Sequence, residues 1–80
     1  MHETHLFNHL FKYLAEEEKQ AKRKISKIYV TISEFGGMDK EHFLSHFRHS
    51  CPENKWQKIE VEFKTAAYGA EFQIDKIDFA

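Results

Sequence analysis

Ile25-Ser26-Lys27-Ile28-Tyr29-Val30-Thr31-Ile32 decides how the rest of the chain can fold. Ile28, Val30 and Ile32 alternate with Tyr29 and Thr31, and β-branched residues dominate, so 25–32 reads as a strand. Downstream, Glu34-Phe35-Gly36-Gly37 breaks the alternation, and paired glycines permit a tight reversal. Residues 40–49 then follow a helical period, with Phe43, Leu44 and Phe47 on the apolar face. Asp39 is a good N-cap for that helix, and Met38 and Phe43 stand where a hydrophobic staple would form. Pro52 ends it, because proline biases Cys51 before it away from helical angles.

Residues 56–64 read as a second strand. Ile59, Val61 and Phe63 share one parity, and Lys58, Glu60, Glu62 and Lys64 share the other. That alternation predicts a sheet covered on one side only. A third strand is expected over 70–79. Phe72 and Ile74 have one parity there, and Ile77 and Phe79 have the other, so a β-bulge or bend near Asp75-Lys76 is predicted to return both pairs to the core. Upstream, residues 4–24 read as one helix with Leu6, Phe7, Leu10, Phe11, Leu14 and Ala21 on one face and Thr4 as its N-cap. Glu16, Glu17 and Glu18 precede Lys19, Lys22, Arg23 and Lys24, an order that complements the helix dipole and reads as a solvated face. The expected fold is α+β in the order α-β-α-β-β. It has a three-stranded mixed sheet, with two helices packed on one face. The first two strands flank a helix and should pair parallel. The last two are close enough in sequence for an antiparallel hairpin.

At 80 residues the chain is one small domain, 1–80, and its eight Phe, three Tyr and one Trp must supply much of the burial. Twelve Lys and Arg against 13 Asp and Glu leave no basic excess, which argues against nucleic-acid binding. No apolar run approaches membrane-spanning length, and no signal-peptide pattern is seen, so a cytoplasmic location without a membrane partner is expected. The single Cys51 excludes an intramolecular disulfide and a four-cysteine zinc site, and nothing in the sequence marks it as reactive. No nucleophile–base pair, phosphate loop or catalytic carboxylate pair is recognisable, so the chain is not expected to be an enzyme.

Six histidines in 80 residues are an excess that asks for a role. In Met1-His2-Glu3, an α-amino group, two backbone amide nitrogens and the His2 imidazole lie within a few bonds of one another. Planar nitrogen donors of this kind suit Ni(II) or Cu(II) better than Zn(II). The bulky His2 is expected to keep Met1 in place, which the chelate needs.

Three segments together resemble the nickel-insertion accessory proteins of hydrogenase and urease maturation, the HypA/HybF family. Members begin Met-His-Glu ahead of a helix, as Met1-His2-Glu3 does here. After the first strand they carry a turn of the type Gly-Glu-Leu-Ser-Gly-Val-Asp. The matching segment is Ser33-Glu34-Phe35-Gly36-Gly37-Met38-Asp39, with Ser33 in place of the usual Gly. Their final strand is similar to Gly69-Ala70-Glu71-Phe72-Gln73-Ile74-Asp75-Lys76-Ile77. The family inserts a zinc module with two Cys-x-x-Cys pairs between the second and third strands. Only residues 65–69 stand there in this chain, so no structural zinc is expected and the likeness covers the family's nickel domain alone.

The resemblance implies transient Ni(II) binding by the Met1 amine, the His2 imidazole and the backbone nitrogens of His2 and Glu3. Glu3 would tune the site or bind a partner, and Asp39 would complete the coordination or serve only as the helix cap. A maturation GTPase or a nickel-enzyme precursor is the implied partner. His5 follows this site by one turn, and His2, His5 and His9 form a stripe. His42, His46 and His49 form another on the second helix. Two imidazoles at i,i+4 can share a metal, and the alternative is a polar face that happens to use His. Two functions follow: a nickel-delivering accessory protein, or a protein–protein adaptor that keeps the family's docking surface without delivering metal.

Overall fold

The computed structural model describes residues 2–35, 37–52, 55–69 and 71–80, with the side chains of His2, Glu3 and Thr4 outside the described set. The elements are α1 (His2–Ala21), β1 (Ile25–Ser33), α2 (Lys40–Ser50), β2 (Glu60–Ala66) and β3 (Phe72–Phe79). This is the expected α-β-α-β-β order. β1 and β2 pair parallel, from Lys27 opposite Glu60 to Ser33 opposite Ala66.

The sheet order is β2-β1-β3, which corrects the expected hairpin of the last two strands. β3 runs antiparallel to β1, on the edge away from β2. Ile28, Val30 and Ile32 are almost wholly buried, whereas Val61 and Phe63 of β2 are only half-buried. The most apolar strand therefore takes the middle, where neighbours cover both of its edges. The link from β2 to β3 passes over the end of β1, where Glu34 N–H donates to Ala66 O (2.7 Å) and Ser33 N–H to Glu71 O (3.2 Å). Crossing two strand spacings means covering about 9.6 Å, which a link of this length spans easily.

The bulge falls where the parity change requires it. Tyr29 pairs with Lys76 and Val30 with Ile74, leaving Asp75 as the extra residue of β3. A second shift leaves Ser26 extra on β1, between Ile25 opposite Phe79 and Lys27 opposite Asp78. As a result Phe72, Ile74, Ile77 and Phe79 all pack against one core.

That core joins Phe7, Leu10, Phe11 and Leu14 of α1, Phe43 and Phe47 of α2, and the inner face of β1. Both helices cover this face. Phe7 meets Phe43 with ring centroids 5.2 Å apart, Phe11 meets Phe47 at 5.5 Å, and Phe11 stacks on Trp56 at 5.8 Å. The other face of the sheet is polar and holds its own network. Lys27 pairs with Glu62 (3.0 Å), Tyr29 Oη donates to Asp78 (2.8 Å), and Thr31 donates to Asp75.

Three boundaries differ from expectation. α1 includes Thr4 in its helical backbone, so Thr4 is not the cap. α1 also stops at Ala21, because Lys22 takes a left-handed φ of 57° and the chain turns. That turn is held by the end of the chain: Arg23 Nε donates to Ala80 O (2.8 Å) and Ala80 N–H to Lys24 O (2.7 Å). Residues 56–59 form turns rather than strand, with the carbonyls of Gln57 and Ile59 engaged by the Arg48 guanidinium instead of a sheet partner.

Trp56 is 1% exposed, and its indole N–H donates to Glu18 at 3.0 Å. The same Glu18 oxygen accepts from Ile25 N–H at 2.9 Å, and the other lies 3.1 Å from Lys55 Nζ. Glu18 is thus a clamp between α1, the start of β1 and the loop before β2, not part of a solvated face. Burial pushes its carboxyl upward, but the bonds from Ile25, Trp56 and Lys55 outweigh that and hold it below its ordinary range.

Candidate metal centre

The donors expected at Met1, and in the side chains of His2 and Glu3, lie outside the described residues; the backbones of His2 and Glu3 belong to the first turn of α1. Asp39 is described and exposed. It has extended backbone angles, its Oδ1 accepts from His42 N–H at 2.8 Å, and its carbonyl accepts from Phe43 N–H at 2.9 Å. The capping role is therefore made in full. Asp39 also lines an open cleft of about 390 Å³ with Ile32, Glu34, Met38, Phe63 and Lys64. The cleft sits where β1 ends and α2 begins, the end of a parallel β-α-β unit at which ligands commonly bind.

The aromatic contacts also fix the course of the two helices. Phe7 opposes Phe43, and one turn later Phe11 opposes Phe47, so α1 and α2 run side by side in the same direction. The first turn of α1 and Asp39 at the head of α2 therefore lie at the same end of the helix pair.

The two histidine stripes differ in geometry. His5 and His9 are exposed on α1, with Nε2 atoms 3.1 Å apart and ring planes 83° apart. His42 and His46 lie face to face, 5.3 Å apart with planes 8° apart, and His46 in turn stacks on Phe7 at 5.3 Å. Imidazole lone pairs lie in the ring plane, so those of parallel rings lie in parallel planes that do not meet between the rings. His49 is exposed in the last turn of α2. Among the described residues, no group of three or more His, Cys, Asp and Glu side chains converges as a metal site. Cys51 is buried at the end of α2, with Sγ 3.6 Å from Arg48 O.

Two exposed aromatics went unnoticed in the sequence. Phe35 follows β1 and Tyr68 follows β2; they are 77% and 85% exposed, with ring centroids 6.3 Å apart. Their signal is local, since each is an aromatic residue set in a glycine-containing turn: Phe35 before Gly36-Gly37 and Tyr68 before Gly69. No helix among the described residues is long and apolar enough to cross a membrane. No family model, no curated protein and no solved structure matches the chain.

Proposed function

We propose that this protein is a nickel-binding accessory protein for the maturation of a nickel enzyme, a hydrogenase or a urease. Ni(II) is its cargo. The donors are the Met1 amine, the His2 imidazole and the backbone nitrogens of His2 and Glu3, a nitrogen set suited to square-planar Ni(II). Asp39 is the carboxylate that joins them, and a cytoplasmic GTPase or the enzyme precursor receives the metal. What supports this reading is the parallel course of the helices, from Phe7 with Phe43 to Phe11 with Phe47, which brings the start of α1 and the start of α2 to the same end of the fold.

The exposed Phe35–Tyr68 pair favours a second reading, a protein–protein adaptor that docks through this end of the sheet and carries no metal. Nickel titration calorimetry separates the two. It needs untagged wild type, His2→Ala, and a variant with one residue placed before Met1. Metal delivery predicts Ni(II) binding to wild type that disappears in both variants. Equal affinity in all three would refute it.

A further inference from the structure

We infer that His5 and His9 form a second metal site, a two-imidazole chelate on the exposed face of α1 for one borderline divalent ion. It uses donors separate from those at Met1–Glu3 and stands without them. Metal–imidazole bonds run about 2.0–2.1 Å, so two nitrogens on one ion lie roughly 2.9 Å apart at a right-angled corner and roughly 3.3 Å apart at a tetrahedral one. The Nε2 atoms of His5 and His9 lie 3.1 Å apart, between those limits. Their ring planes stand 83° apart, and two planes that cross share a line. An ion on that line lies in the plane of both rings, as coordination through an imidazole lone pair requires. The stacked pair of α2, at 8°, has no such line near its rings.

Without metal, the two Nε2 atoms are within hydrogen-bond distance of each other, at 3.1 Å. Both residues are exposed on one helical face, so the remaining coordination positions are open to water or to a small ligand. Asn8 and Lys12 line the same shallow hollow. The Lys12 ammonium opposes a dication there and sets the affinity below what the imidazoles alone would give.

Zn(II) is the appropriate probe, because the planar nitrogen claw at Met1 suits it poorly. The chain is titrated with zinc chloride as wild type, His2→Ala, His5→Ala, His9→Ala and Lys12→Gln, followed by calorimetry and by histidine ring proton resonances. The expected result is one Zn(II) per chain in wild type and in His2→Ala, with the rings of His5 and His9 shifting together. Binding should weaken about tenfold or more in His5→Ala and in His9→Ala, at least the effect of losing an outer-shell partner. It should tighten in Lys12→Gln. Zinc affinity unchanged by either His5→Ala or His9→Ala would overturn the site, as would shifts confined to other histidines. Because both side chains are exposed, their removal leaves the fold intact, which circular dichroism verifies. Nickel binding at Met1–Glu3 is read separately from its loss in His2→Ala, so either site can fail alone.

Discussion

Glu18 ties three segments of this fold together through one carboxylate. One carboxylate oxygen accepts from the Ile25 amide and the Trp56 indole, and the other faces Lys55. Glu18→Ala removes the acceptor and leaves two donors on buried residues, Ile25 at 5% and Trp56 at 1% exposure. An orphaned buried donor costs about 1–3 kcal/mol, and water entering the vacated space offsets part of it, so the loss should be about 2–4 kcal/mol. A domain of this size holds only about 4–12 kcal/mol in total. Glu18→Gln keeps a carbonyl oxygen for both donors and loses only the charge. The Lys55 partner is half-exposed, so that change should cost about 1 kcal/mol or less. Urea unfolding, followed by Trp56 fluorescence and far-ultraviolet circular dichroism, measures both variants. The pH dependence gives a second check. The folded carboxyl is held below its ordinary value, so the unfolded chain takes up the proton first as pH falls. The stabilisation is complete above the unfolded value near 4.5 and is lost as pH falls through the lower folded value. The advantage of wild type over Glu18→Gln should therefore be flat near neutrality and shrink in acid. Equal losses for Ala and Gln would show that charge, not acceptor geometry, matters; a loss under about 0.5 kcal/mol for Ala would refute the clamp altogether.

Two further outcomes follow from single residues. Asp39→Ala should lose about 1 kcal/mol with the cap on His42 N–H, and Asp39→Ser should recover most of it, both read by urea unfolding. Deleting Asp75 should slip β3 by one residue and turn Phe72 and Ile74 toward the polar face, at about 1.5–3 kcal/mol for each side chain, whereas Asp75→Ala should cost under about 1 kcal/mol because the bulge survives. Thermal melts and amide dispersion distinguish these; a deletion as stable as wild type would mean that the bulge does not set the register.

The strands and the bulge were legible because their signals are local. The parity change between Ile74 and Ile77 calls for a bulge or a bend, and the structure uses a bulge with Asp75 as the extra residue. Strand order was not legible, because a link of a few residues fits a hairpin and a crossing over β1 equally well; the burial of Ile28, Val30 and Ile32 decides between them. Glu18 was hidden for a different reason. Within the run Glu16-Glu17-Glu18 its chemistry is ordinary, and its partners Ile25 and Trp56 lie 7 and 38 residues away.

The histidines show most sharply where sequence spacing stops and packing begins. His5 and His9 have the same i,i+4 separation as His42 and His46, and by helical geometry alone each pair could share a metal. Their surroundings separate them. His46 lies against Phe7, a core residue of α1, and that flat contact holds its ring parallel to Phe7, with His42 stacked outside it. Among the described residues no core aromatic ring is stacked on His5 or His9, and their rings cross instead of stacking. The same pairing of α1 with α2 that flattens His46 also makes the two helices start at one end of the fold, through the register of Phe7 with Phe43 and Phe11 with Phe47. The aromatic seam thus fixes the ring of His46, and with it His42, in a stack, while His5 and His9 on the exposed face of α1 cross at a steep angle.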